Sequence, residues 1–112
     1  MKIAMPITNG KLSMHFGHAQ EFAFFQVDEA EKQIISREML VPPGYAPGML
    51  PQWLKEQGAN MLIACGIGQR AQDLLSNLGI KIVIGAPEET PQSIVSSYLN
   101  GTLQAGSNIC DH

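Results

Sequence analysis

The eight residues Glu21 to Asp28 read Glu-Phe-Ala-Phe-Phe-Gln-Val-Asp. In an extended strand alternate side chains point to opposite faces, so Phe22 and Phe24 fall on one side and Phe25 and Val27 on the other. A strand apolar on both faces must be covered on both faces, and strand-rich, aromatic-rich composition of this kind fits a central position in a sheet. That requirement excludes an open two-layer sheet with one wet face. It calls for helices above and below.

The rest of the chain supplies them. Lys2 to Ile7 reads as a first strand, stopped by the turn formers Thr8-Asn9-Gly10, and a loop runs on through His18. Gln33 to Val41 can pair back on Glu21 to Asp28 across a polar turn and ends at Pro42-Pro43-Gly44, which marks it as the edge. From Gly48 to Gln57, Leu50, Trp53 and Leu54 follow the i, i+3, i+4 spacing of one helix face. Asn60 to Cys65 is a fourth strand. Gln69 to Leu78 is a second helix, with Ala71, Leu74, Leu75 and Leu78 on its apolar face and Gly79 after it. Ile80 to Ile84 is a fifth strand. Thr90 and Pro91 then open a third helix that buries Ile94, Val95, Tyr98 and Leu99 and closes at Gly101. Residues 102–112 are a polar tail.

This order predicts an α/β fold in which the later strands are parallel and joined by right-handed crossovers. A chain of 112 residues suits one domain over residues 1–112, because two would leave each half without an adequate core. A net charge of −3 offers no basic stripe for nucleic acid. The longest purely apolar run, Met61 to Cys65, is far short of the roughly 20 residues that cross a bilayer. With no signal-peptide layout and only two cysteines, the expectation is a cytoplasmic protein with reduced thiols.

The histidines and cysteines are few and clustered at ends and loops: His15 and His18 after the first strand, Cys65 closing the fourth, Cys110 and His112 in the tail. Imidazole and thiolate bind borderline and soft metals such as zinc, copper and iron. If the first and fourth strands are parallel neighbours, the His15 to His18 loop and the loop after Cys65 emerge together at their carboxyl ends, where open α/β sheets bind ligands. The 11-residue tail, at most about 36 Å long, could return Cys110 and His112 to the same place. Each position also has a plain structural reading: a hydrogen-bonded turn for the histidine pair, a loose chain end for the tail, a small core residue for Cys65.

A rival signal is Gly66-Ile67-Gly68-Gln69-Arg70-Ala71, which fits G-x-G-x-x-G/A between a strand and a helix, with Glu88 and Glu89 about twenty residues on. It follows the fourth strand rather than opening the chain, which argues against a dinucleotide fold. A phosphate- or nucleotide-binding sensor or enzyme using the Gly66 to Arg70 turn remains the alternative. The backbone amides there, with Gly66, Gly68 and Arg70, could equally cradle an anionic cluster. The sequence holds no His-Glu-x-x-His pair, Gly-x-Ser-x-Gly elbow or phosphate loop, so no enzyme is expected.

Taken together, Lys2-Ile3-Ala4-Met5-Pro6, the His15-Phe16-Gly17-His18 loop with the aromatic strand after it, and the segment from Gly66 to Ala71 running to Gly79-Ile80-Lys81-Ile82 resemble the dinitrogenase iron-molybdenum cofactor biosynthesis family. That family includes NifX, the C-terminal domain of NifB and small stand-alone members such as the orange protein. The resemblance implies a ribonuclease H-like fold, a five-stranded mixed sheet with helices on both faces. It also implies a non-enzymatic carrier of an iron-sulfur or molybdenum-containing metal-sulfur cluster, working with cluster donor or recipient proteins. His15, Phe16 and Gly17 match the family's loop motif. The ending Cys110-Asp111-His112 looks like that of some stand-alone members and not of NifX proper.

Overall fold

The computed structural model describes residues 1–46 and 48–106. Its strands are β1 (Lys2–Thr8), β2 (Lys11–Leu12), β3 (Glu21–Asp28), β4 (Gln33–Leu40), β5 (Met61–Ala64) and β6 (Lys81–Ile84). Its helices are α1 (Met49–Glu56), α2 (Gln69–Asn77) and α3 (Pro91–Asn100). The sheet runs β4-β3-β1-β5-β6, with β2 attached to β1. Pairs β1/β2, β1/β3 and β3/β4 are antiparallel, while β1/β5 and β5/β6 are parallel. The later strands are parallel, as their alternation with helices requires.

The expectation of five strands needs correcting to six. Thr8-Asn9-Gly10-Lys11 is not only a stop but a tight hairpin. Asn9 and Gly10 both take positive φ, 53° and 79°, the pattern of a two-residue turn whose twist matches that of the flanking strands. Thr8 pairs with Lys11 and Ile7 with Leu12. An Asn-Gly dipeptide is the strongest short-range hairpin signal, and its partner strand escapes notice because it is two residues long.

Both faces of β3 are covered. Phe22 and Phe24 join Trp53 and Leu54 of α1, Leu62 of β5 and Leu75 of α2 in one core. Trp53 meets Phe22 and Phe24 edge-on, with ring centroids 5.5 and 5.6 Å away, the offset that aromatic quadrupoles favour. On the opposite face Phe25 and Val27 pack with Ile3, Met5, Ile63 and the α3 residues Ile94 and Val95. Thr90 caps α3 by accepting from the Ser93 amide, and Gly101 closes it at φ 74°. β4 is the edge, and its Ile35 and Met39 are exposed.

Candidate functional site

β1 and β5 lie side by side and parallel, with Ile3 opposite Met61 and Ala4 opposite Leu62. Their carboxyl ends therefore deliver two loops to one end of the sheet. A direct bond ties the loops together: the Phe16 amide donates to the Gly66 carbonyl at 2.9 Å. Phe16 is buried at 5% exposure and its ring meets Phe22 edge-on at 5.8 Å, so it roots the loop in the core. His15, Gly17 and His18 are left at the surface.

The loop is held at both ends. The Gln20 amide donates to the Ile7 carbonyl at 2.9 Å and the Ser13 amide to the Pro6 carbonyl at 2.8 Å. Ser13 is itself buried; its hydroxyl accepts from Thr8 Oγ1 at 3.1 Å and donates to the His15 carbonyl at 3.0 Å. Residues Phe16–His18 form a single 3-10 turn, closed by the His18 amide on the His15 carbonyl at 3.2 Å. That turn brings the two imidazoles together, their centroids 5.5 Å apart at 59°. Two nitrogens sharing one zinc-like ion stand about 3.3 Å apart.

Two hollows flank this loop. A polar recess of about 460 Å³ is lined by Lys11, Ser13, Met14, His15, His18 and Glu88 together with the β1–β2 turn. The Leu12 amide donates to the Glu89 carbonyl at 2.8 Å, which holds the Glu88 segment against the hairpin. An apolar cavity of about 210 Å³ lies among Phe16, Gly17, Tyr45, Leu50, Arg70 and Leu74. The candidate residues thus divide: His15 and His18 line the recess, whereas Phe16, Gly17 and Arg70 line the cavity.

Gly66 is buried and contributes its carbonyl to the Phe16 amide. Gly68 is the N-cap of α2, at φ −70° and ψ 156°, and a Cβ there would meet nothing within 4 Å. The glycine pattern is therefore not demanded by backbone geometry at Gly68, since any residue adopts that conformation. Cys65 is 8% exposed among Ile63, Ala86 and Ile94, which is the small core residue of the plainer reading. Cys110 and His112 lie outside the described residues. Among the described residues no group of three or more His, Cys, Asp or Glu side chains is arranged to hold a metal ion. Ser13 carries no motif although it lies in the loop itself, and only the folded chain brings Tyr45 and Glu88 to that loop. Tyr45 reaches across to donate from its hydroxyl to the Ala19 carbonyl at 2.6 Å.

Residues 1–101 match the family described as dinitrogenase iron-molybdenum cofactor. The chain belongs to that family. A family relative, the uncharacterized protein MJ0580 of Methanocaldococcus jannaschii, is 31% identical over 110 residues, covering 93% of this chain and 90% of its own. The crystal structure of the protein PH0822 superposes with a TM-score of 0.85 at 28% identity, covering 95% of this chain and 96% of that one. The apo form of the orange protein from Desulfovibrio gigas shares the fold, with a TM-score of 0.72 at 24% identity over 96% of this chain and 93% of its own. No helix among the described residues is long and apolar enough to cross a membrane.

Proposed function

We propose that this chain is a non-enzymatic carrier of a metal-sulfur cluster, iron-sulfur or molybdenum-containing, that passes it between donor and recipient proteins in the cytoplasm. The observation that carries this reading is the His15 and His18 pair, 5.5 Å apart at the mouth of a polar recess, in a chain of the iron-molybdenum cofactor family. Met14, 49% exposed beside the pair, adds a soft thioether donor, and soft donors suit copper, iron and sulfur-rich clusters. A closed four-ligand site retains its metal, whereas a cargo site must leave positions open for the donor's and recipient's ligands. Two imidazoles on a rooted loop meet that need.

Cys110 and His112 are the exchangeable half of the ligand set in this reading, giving way to a donor's or recipient's ligands at transfer while the two imidazoles stay. Its support is the Gly106 amide, which donates to the Gly85 carbonyl at 2.7 Å just after β6, three residues before the Glu88 that lines the recess. The six residues after Gly106 span up to about 20 Å. Phe16 roots the loop and Gly66 holds it, while Arg70 lines the cavity on the other side of Phe16 and Gly17 from the histidines and Gly68 caps the helix that carries it. The strand order β4-β3-β1-β5-β6, with β3 running against its neighbours, is read here as ribonuclease H-like.

The test is anaerobic titration with a reconstituted iron-sulfur cluster, followed by visible absorption, and, separately, with cuprous ion, followed by competition with a chromophoric copper(I) chelator. His15→Ala should remove most binding. His112→Ala added to it should cost little more, because groups that share one ligand are not additive. Binding should weaken on acidification, since only neutral imidazole coordinates. Wild-type binding in His15→Ala/His18→Ala would end the proposal. Summed losses from His15→Ala and His112→Ala would separate the tail from the loop.

A further inference from the structure

We propose that the apolar cavity on the far side of the Phe16–Gly17 ridge is a second binding site, which takes a small organic acid: one compact apolar body, about the size of an aromatic ring, bearing a single carboxylate held by Arg70. The volume, about 210 Å³, exceeds the roughly 150 Å³ that houses a benzene molecule in an engineered protein cavity. Its walls are Phe16, Tyr45, Leu50, Pro51, Ala71 and Leu74, and among the described residues Arg70 is the one charged residue lining it. Binding hollows of this composition, apolar with a few convergent polar groups, select a ligand's body by shape and its orientation by the polar group.

The polar end of the ligand follows from which donors are committed. The Tyr45 hydroxyl gives its proton to the Ala19 carbonyl at 2.6 Å, so tyrosine contributes a ring and not a donor. Among the described residues the Arg70 guanidinium makes no hydrogen bond or ion pair. A guanidinium at the rim of an apolar hollow is matched by a planar carboxylate, which it grips through two parallel N–H groups. Arg70 is also the second residue of α2, where the helix dipole favours a negative charge. A neutral apolar molecule would fill the space and leave the guanidinium to water. A bare phosphate would meet Arg70 and leave the walls wet. Among the described residues no imidazole, thiol or carboxylate lines the cavity, so its chemistry differs from that of the histidine recess, and the site stands whether or not a cluster binds there.

The experiment is an amide NMR titration of the metal-free full chain with benzoate, with isosteric neutral benzamide and with inorganic phosphate. Benzoate should shift the amides of Gly17, Ala71 and Leu74 and bind about five- to tenfold more tightly than benzamide, the order of effect expected of a partly exposed charge-assisted pair. Phosphate at the same concentration should leave those amides in place. Arg70→Gln, a change at an exposed position, should erase the preference for benzoate and keep benzamide binding. His15→Ala/His18→Ala should bind benzoate as the wild type does, even though it has lost the metal probe. Equal affinities for benzoate and benzamide, a preference that survives in Arg70→Gln, or loss of benzoate binding in the double histidine variant would each overturn the proposal.

Discussion

The Gly106 amide donates to the Gly85 carbonyl at 2.7 Å, and this bond fixes where the C-terminal segment begins. Gly85 sits at φ +82°, and a Cβ built on it would strike the Gly106 backbone. The Gly85 amide meanwhile donates to the Cys65 carbonyl at 2.9 Å and the Ala86 amide to the Ala64 carbonyl at 3.2 Å. The ends of β5 and β6 and the start of the tail are thus gathered at one glycine, next to the segment that brings Glu88 to the histidine recess.

Gly85→Ala should therefore act twice. The positive φ costs a residue with a Cβ about 1 kcal/mol, and the displaced Gly106 adds to that, which thermal unfolding would record as a lower midpoint. It should also weaken binding of the cuprous probe to the level of a chain ending at Gly106. In that shortened chain the substitution should have no further effect on affinity, and a further loss there would move its action from the tail to the loop.

Ser13→Ala tests the support beneath His15. The serine hydroxyl is buried and bridges the Thr8 hydroxyl and the His15 carbonyl, so its removal leaves both without that partner, at a cost of about 1–2 kcal/mol. Urea unfolding should show the loss in the midpoint with an unchanged slope. Affinity for the metal probe should drop by a few-fold, since the imidazole is no longer held in place. An unaltered affinity in a destabilised protein would mean that Ser13 serves the fold alone.

Gly68→Ser should be stabilising. Gly68 caps α2 with no side-chain hydrogen bond, has an ordinary negative φ, and leaves open space where a Cβ would go. A serine hydroxyl there can accept from the amides of the first turn, a gain of about 0.5 kcal/mol over glycine. The unfolding midpoint should rise. A fall would show that the turn needs its glycine for a reason other than conformation or space.

Much of this architecture can be read along the chain because it depends on local periodicity. The double-faced aromatic strand requires two covering layers, and Phe22 and Phe25 do enter separate cores. Leu50, Trp53 and Leu54 share one helix face, and Thr90, Pro91 and Gly101 mark the ends of α3 through capping chemistry that acts within a few residues. The closeness of the histidine loop to the Gly66 loop follows only if the first and fourth strands are parallel neighbours, a condition that the sheet order supplies.

What spacing along the chain could not decide is which way each loop residue turns. Sequence proximity places His15, Phe16, Gly17 and His18 in one candidate site with Gly66, Gly68 and Arg70. The 3-10 turn rotates successive residues by about a third of a circle. With Phe16 buried against Phe22, His15 and His18 then fall on the recess side, while Gly17 and Arg70 line the apolar cavity. Nor could spacing bring Tyr45 and Glu88 to that loop, or Gly106 to Gly85, because those contacts join segments whose meeting is set by how the sheet and helices pack. The sequence by itself determined the layers, the helix ends and the chemistry available at one edge of the sheet. The tertiary structure alone divided that edge into two hollows of opposite polarity, because a side chain's direction depends on backbone dihedrals and on which ring the core accepts.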